Sequence, residues 1–301
     1  MIIYLKQLLT AFFWGGTFIA GRIVARGVDP FAAAFIRFTI AGVILLIAIR
    51  VLEGKLPRLN KKQFFSVFCL GMTGIFTYNI LFFEGLKSVQ AGRASLIIAL
   101  NPIIICLFSS VLYKEKLTLP KFAGILLSVF GAMVVITYGN FSTIFTNPLS
   151  RGDLLIFGCV ASWVAYSLIG KSVLSGLSPL ATVGYSASLG ALLLSVPAIL
   201  NGVMTDLPSY LLSQWGSLFY LGFFGTVLGF FWYYEGIEKI GPTKAGVFIN
   251  FVPVSAIILA YLILGEPITW SLATGAGLVI GGVLLTNFST SFLIYLQKRK
   301  S

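Results

Sequence analysis

The residues of this chain that could do chemistry are polar and aromatic side chains set inside long apolar stretches. The segment FFWGGTFIAGR carries Trp14 and Thr17, and the segment ASWVAYSLIGK carries Trp163 and Tyr166 at the corresponding positions. Indole N–H and hydroxyl groups in apolar surroundings need hydrogen-bonding partners. We expect these four side chains to line a shared polar cavity, and packing between helices is the alternative for the two tryptophans.

Further binding candidates also interrupt apolar stretches. Arg37 lies well inside one of them, where it could reach outward to water, bind helix carbonyls, or contact a carboxylate of a bound molecule. Two aromatic runs, TYNILFFEG and FFWYYEG, either form an interfacial belt or line the two ends of a pathway. The remaining candidates for substrate binding are Tyr78, Asn79, Phe82, Asn101, Trp232 and Asn250.

Residue types that support catalysis are scarce. The sequence has no histidine, only nine acidic residues, and three cysteines that each lie in an apolar stretch. A membrane-embedded enzyme needs a nucleophile with a base, a metal cluster or paired carboxylates. No acid lies deep in an apolar stretch, so we expect no catalytic site, no metal and no cofactor.

The elements that must position these residues are membrane-spanning helices. The chain is 58% hydrophobic and 10% charged, with a mean hydropathy of +0.98, and its apolar residues fall in blocks of about 20, the length that crosses a bilayer. We predict an all-α polytopic membrane protein with ten transmembrane helices. Their approximate ranges are 4–25, 30–51, 62–86, 91–112, 119–138, 152–174, 179–200, 211–235, 243–264 and 268–289.

The basic residues orient these helices. With the N-terminus in the cytoplasm, fifteen Lys and Arg residues fall on the cytoplasmic side, five fall on the other side, and Arg37 lies within a span. This bias predicts cytoplasmic N- and C-termini. Bases spread along one membrane face meet anionic lipid, so the net charge of +12 does not indicate a nucleic-acid partner.

The chain repeats itself. A shift of 149 residues aligns Trp14 with Trp163, and a shift of 151 aligns Pro102 with Pro253. We predict a first five-helix repeat over 1–140, a second over 150–290, and a basic cytoplasmic tail over 291–301. Because five is odd, the second repeat is inverted, an arrangement typical of transporters with a binding site at the midplane. The two prolines interrupt the fourth and ninth spans, as gating hinges or as static kinks.

Four glutamates are expected to have structural roles at the ends of spans. We expect Glu84 to pair with Arg93, and Glu235 to pair with Lys244, across short connections. Glu115 and Glu266 precede the fifth and tenth spans, where an acidic side chain favours the positive end of a helix dipole.

Several segments together resemble the EamA family of the drug/metabolite transporter superfamily. They are WGGTF, FIRF, FFEGLKSVQAGRASLIIALNPI and YKEKLT in the first half, and YYEGIEKIGPTKAGVFINFVPV and LGEPIT in the second. The resemblance implies ten helices in a bacterial inner membrane and export or exchange of amino acids and related metabolites. One departure is that Val164, Ala165 and Tyr166 replace the Gly-Gly-Thr of the first copy, so the two cavity walls differ.

The function expected from these observations is secondary transport. The cargo would be a small metabolite, such as an amino acid or a related aromatic or cationic compound, moved by alternating access around a midplane cavity. A channel-like facilitator and a membrane-embedded enzyme are the alternatives. We expect membrane lipid and the small-molecule cargo as partners, a monomer, and no obligatory protein partner.

Overall fold

The computed structural model describes residues 2–101, 103–105, 108, 119–141, 149–173, 176–240, 245, 248–249 and 251–298. Helices and turns make up this part of the chain, which contains no β-strand. The longer helical segments are α1 (Ile2–Ala25), α2 (Pro30–Leu52), α3 (Lys61–Leu86), α4 (Ala91–Ile98), α5 (Leu119–Ile136), α6 (Arg151–Val173), α7 (Pro179–Leu200), α8 (Leu212–Ile240), α9 (Val252–Leu264) and α10 (Trp270–Lys298). Pro102, Glu115, Lys244 and Asn250 lie outside the described residues.

Six of these helices are long and apolar enough to cross a bilayer: α1, α2, α3, α7 and α8 along their full lengths, and α6 over Arg151–Gly170. Shorter apolar stretches lie at Ala91–Ile105, Phe122–Val135, Val252–Leu264 and Trp270–Gly282. The prediction of an all-helical, polytopic membrane protein is therefore confirmed. The last helix continues to Lys298, so most of the segment that we expected to form a tail is helical.

Local sequence explains where equivalent helices begin. Asp29 accepts hydrogen bonds from the backbone N–H groups of Phe31 and Ala32, and Pro30 occupies the first position of α2. Ser178 accepts a hydrogen bond from Ala181 in the same way, with a proline first in α7. A capping oxygen satisfies free N–H groups, and proline has no N–H to leave unpaired at that position.

Three helices contain a π-helical segment: Ala260–Leu264 ends α9, and the other two segments lie at equivalent places in α3 and α8. Gly71–Thr77 interrupts α3, and Leu221–Leu228 interrupts α8. A π-helical turn shifts the register of the backbone hydrogen bonds, so side chains nearby can bond carbonyls that an α-helix would occupy. Asn79 and Thr226 do this: the Asn79 amide donates to the Ile75 carbonyl at 2.8 Å, and the Thr226 hydroxyl donates to the Leu221 carbonyl at 3.0 Å.

Neither the predicted fourth span nor the predicted ninth forms one continuous helix in the described residues. α4 ends at Ile98, and a tight turn follows in which Leu100 N–H donates to Ile97. α9 begins at Val252 with Pro253 in its first turn. We expected Pro253 to bend a continuous helix and free the carbonyl of Ile249. Instead, the helix starts at the proline, where the missing N–H costs no hydrogen bond.

The helices pack in matched pairs. α2 packs along α7, and α5 packs along α10. α1 contacts α9 and the C-terminal part of α8, while α6 contacts α4 and the C-terminal part of α3. The π-helical segment of α3 lies against α7, and that of α8 lies against α2. α1 and α6, which carry the two tryptophans, thus occupy corresponding central positions.

Candidate functional site

A cavity of about 550 Å³, counted out to its open side, lies where α1, α2, α3, α6 and α8 meet the broken spans. The residues that line the cavity are Trp14, Thr17, Phe18, Arg37, Tyr78, Asn79, Phe82, Ile98, Asn101, Trp163, Phe230, Ile249 and Val252.

The two tryptophans meet at the centre of this cavity. Their ring centroids are 5.8 Å apart with the planes at 84°, and Phe230 packs edge-on against both rings. The indole N–H of Trp14 donates to the Gly225 carbonyl at 3.0 Å. No described residue accepts a hydrogen bond from the Trp163 N–H, and that nitrogen is not sealed inside protein, so it faces the cavity. One indole is therefore fixed to a helix, and the other is free to donate.

Glycines let the tryptophan-bearing helices approach α8 and α3 closely. A Cβ on Gly229 would lie 2.5 Å from Trp14 Nε1, and a Cβ on Gly225 would lie 2.7 Å from the Thr17 methyl group. A Cβ on Gly74 would overlap the Tyr166 ring in the other half. Trp14, Thr17 and Tyr166 are thus held in place by direct contact with a neighbouring backbone.

Arg37 is buried in the cavity wall between the two π-helical segments. Its Nε donates to Thr226 Oγ1 at 3.0 Å, and its Nη1 donates to Asn79 Oδ1 at 2.9 Å. Both acceptors are themselves fixed by donating to backbone carbonyls. The guanidinium is therefore held from α3 and α8 at once, and it neither reaches outward to water nor binds helix carbonyls directly.

The other predicted residues in the lining are aromatic or amide. Tyr78 stacks on Phe82 with centroids 5.9 Å apart and contacts the Trp163 ring at 5.5 Å. Asn101 is buried, and its Oδ1 has no hydrogen-bonding partner among the described residues. The Thr17 hydroxyl also lines the cavity, but it donates to the Trp14 carbonyl at 2.6 Å, within its own helix.

Two predicted site residues lie elsewhere. Tyr166 is buried behind Trp163, packed against the rings of Phe230 and Tyr234, because Gly74 leaves room for its ring on the side away from the cavity. Trp232 stacks on Phe13 with ring centroids 6.0 Å apart, and its ring also lies 5.9 Å from the ammonium group of Lys6, near the start of the first helix. Two further predicted site residues, Pro102 and Asn250, fall outside the described ranges.

Sequence reasoning missed Thr226 and several apolar lining residues. Phe18 follows Trp14 by four positions, so helical spacing alone places it on the same face. Thr226 is the only hydroxyl residue in the run LGFFGTVLG, and a polar side chain in such a run is a signal that could have been used. Phe230 had been grouped with a general aromatic run.

The ion pairs at the helix ends differ from expectation. Glu84 pairs with Lys87 at 3.0 Å, and Arg93 forms two hydrogen bonds with Asp153 at 2.8 and 2.9 Å. The predicted Glu84–Arg93 pair is therefore wrong, because Asp153 in α6 lies where the Arg93 guanidinium can reach both carboxylate oxygens. This pair joins α4 to α6.

Glu235 and Glu266 also bind groups that we did not predict. The Glu235 carboxylate pairs with Lys6 at 2.7 Å and Lys239 at 2.6 Å, which ties α1 to α8. Glu266 accepts hydrogen bonds from the backbone N–H groups of Ala91 and Gly92. Glu266 does lie at the positive end of a helix dipole, but the helix is α4 and not α10, which follows Glu266 in the chain.

Comparison with known proteins identifies the family. The EamA-like transporter family matches residues 1–137 and again residues 150–288. This chain belongs to the EamA-like transporter family. As an EamA-like protein, it is a polytopic membrane protein of a transporter family.

Relatives along nearly the whole chain are named transporters. An "Uncharacterized transporter YyaM" of Bacillus subtilis (strain 168) is 34% identical over 282 residues, covering 94% of this chain and 92% of the relative. A "Probable terminal-alkyne amino-acid exporter" of Streptantibioticus cattleyicolor is 28% identical over 284 residues, again covering 94% and 92%. A solved crystal structure that is 23% identical superposes with a TM-score of 0.70 over 95% of this chain and 98% of that one, which supports the same fold.

Proposed function

We propose that this EamA-like protein is a secondary transporter that exports or exchanges small metabolites, amino acids or related compounds, by alternating access around the central cavity. The observation that carries the proposal is that the cavity is walled by Trp14 and Trp163 in ring contact, one from each half of the chain. A ligand packed against both rings touches both halves, so a relative movement of the halves could expose it to either side. The relative named as an amino-acid exporter supports the cargo class.

The proposed architecture is ten spans in two inverted five-helix repeats, over 1–140 and 150–290. Support comes from the two separate matches to the family and from the matched helix pairs. The π-helical segments add to this, since Gly71–Thr77 and Leu221–Leu228 are related by a shift of about 150 residues. The bias of basic residues supports a bacterial inner-membrane protein with both termini in the cytoplasm.

The residues proposed to bind cargo are the cavity-lining members of the predicted set. The aromatic rings would stack against it, and Arg37, Asn79 and Asn101 would bind its polar groups. The breaks before Asn101 and at Pro253 would let the fourth and ninth spans bend as the cavity opens. We propose a monomer, because the whole cavity is formed within one chain.

Transport by purified protein tests this function. Proteoliposomes should accumulate labelled amino acids by counterflow, and both Trp14→Ala and Trp163→Ala should lower the rate several-fold. Trp270→Ala is the matched control, because Trp270 is 88% exposed and far from the cavity lining. Unchanged transport in both cavity variants would contradict the proposal, and single-channel currents in a planar bilayer would favour a channel instead.

Fusion of reporters to the chain tests the topology. A fluorescent protein attached after Ser301 should fluoresce, and alkaline phosphatase at the same position should be inactive, because the C-terminus is proposed to be cytoplasmic. Phosphatase fused near Asn140, between the two repeats, should be active. The opposite result at either position would contradict the inverted arrangement.

A further inference from the structure

Arg37 is a buried positive charge without a carboxylate partner. Its side chain is 4% exposed, and within the described part of the chain no acidic side chain forms an ion pair with it. Its neighbours are the neutral Thr226 and Asn79 and the ring of Phe38, 5.0 Å away. A charge in such a place is costly unless an opposite charge compensates it, and bases inside membrane spans are therefore rare.

The orientation of the guanidinium leaves one edge open to the cavity. Arginine has five N–H donors, and the contacts with Thr226 and Asn79 use one on Nε and one on Nη1. Nη2 donates to no acceptor among the described residues, and this nitrogen is not fully enclosed by protein atoms. Because Arg37 lines the cavity, the free edge faces it. The network through both π-helical segments holds that edge in place before any ligand arrives.

The polar groups beside this edge are donors more than acceptors. The Trp163 N–H and the Tyr78 hydroxyl also line the cavity and have no protein partner in the described ranges. Asn101 offers one neutral amide. The described lining contains no Asp or Glu, so nothing there compensates the positive charge of an ammonium group. Among the described lining residues the cavity therefore carries one fixed positive charge and no fixed negative charge.

We propose that this site binds small carboxylates with one negative charge and an apolar or aromatic body, and that an ammonium group on the ligand weakens binding. The carboxylate binds the free edge of Arg37, and the body packs among Trp14, Trp163 and Phe230. This inference rests on the proposed function for the location of the site, and it narrows the cargo. It excludes the cationic compounds considered from sequence, since Arg37 repels them.

Three compounds that share one ring test the inference: 3-phenylpropionate, phenylalanine and phenethylamine. They carry a carboxylate alone, both charges, and an ammonium alone. Binding to the full chain in nanodiscs is measured by calorimetry in chloride-free buffer. We expect 3-phenylpropionate to bind roughly tenfold tighter than phenylalanine, because the ammonium group of phenylalanine would lose its hydration without gaining a negatively charged partner, and phenethylamine to show no measurable binding. Equal or tighter binding of phenethylamine, or no binding of 3-phenylpropionate at millimolar concentration, would overturn the inference.

Substitution of the arginine assigns the preference to Arg37. Arg37→Gln should remove the advantage of 3-phenylpropionate over phenethylamine, and Arg37→Lys should retain part of it. Arg22→Gln is the matched control, because Arg22 also lies in a helix but donates to the Leu86 carbonyl and does not line the cavity. If Arg37→Gln does not fold, the order in which the unmodified protein binds the three compounds still tests the inference.

Transport assays distinguish a failure of this inference from a failure of the proposed function. One outcome is that phenylalanine is transported equally well by Arg37→Gln and that 3-phenylpropionate does not bind. This outcome would refute the carboxylate preference and would not contradict the proposed transport function. Binding of 3-phenylpropionate that depends on Arg37, with no compound transported, would keep the binding site and refute the transporter.

Discussion

The two central tryptophans provide a direct test of the cavity geometry, because they differ in one hydrogen bond. Trp14 and Trp163 are 8% and 7% exposed, and both contact Trp and Phe rings of the same cluster. Replacing either by phenylalanine removes the same ring volume. Only Trp14→Phe also removes a hydrogen bond, the one from the indole to the Gly225 carbonyl.

The difference between the two variants should therefore equal the contribution of that bond. A buried neutral hydrogen bond contributes about 1 kcal/mol to stability. For a chain of 301 residues this corresponds to roughly 2 °C in the melting temperature. We expect Trp14→Phe to melt about 2 °C below Trp163→Phe, and Trp163→Phe to weaken binding of 3-phenylpropionate more, because its N–H faces the cavity.

A fluorogenic thiol reagent can follow the melting in detergent. Cys159 is fully buried in the folded protein, so it reacts when the helices separate. Each variant serves as the control for the other, since expression, detergent and ring volume are matched. Equal melting temperatures, or a lower one for Trp163→Phe, would refute the assignment of the fixed and the free indole.

Three further predictions concern packing and charge at the helix contacts, each measured by the same melting assay. Gly74→Ala forces a methyl group into a tyrosine ring of α6 and should cost about 1–3 kcal/mol, whereas Gly216→Ala, with no atom nearby, should be neutral or stabilising by up to about 1 kcal/mol. Asp153→Asn breaks a buried ion pair with Arg93 and should cost about 3 kcal/mol, the low end for such pairs, because Arg93 also donates to a backbone carbonyl. Glu266→Gln removes the charge at the start of α4 and should cost about 0.5–1 kcal/mol, and a larger loss would indicate a further role.

Much of the fold could be predicted because hydropathy and repetition are strong signals. Apolar blocks of about 20 residues predict spanning helices whatever their neighbours are. Pro30 and Pro179 mark helix starts, and the structure has helices beginning at both. The π-helical segments could not be predicted, because they depend on how neighbouring helices crowd one another. The break at Pro253 was predicted as a bend because proline tolerates both outcomes.

The site was predicted less completely, for a physical reason. Position within a span indicates depth, so Trp14 and Arg37 could be placed inside their spans from sequence. Asn79 was predicted in an interfacial belt or at one end of the pathway, but it lines the same cavity as Trp14 and Arg37. Position within a span does not indicate which way a side chain turns when its neighbour is a glycine. Tyr166 turns into the space left by Gly74, and no pattern within α6 contains that information. The predicted ion pair of Arg93 was also wrong. Glu84 is close to Arg93 in sequence, but Asp153 is closer to Arg93 in space.

The differences between the two halves determine the polarity of the cavity. At a shift of 149 residues, Arg37 corresponds to Ser186, which is buried and donates to a backbone carbonyl of its own helix. At a shift of 151, Asn79 corresponds to Phe230. The repeated framework thus places two sets of positions around one cavity, and among the described lining residues the charge and both amides come from the first half. A ligand with one charged end would keep that end at the first half and its apolar body against Phe230, so movement of the halves would carry it across without turning it over.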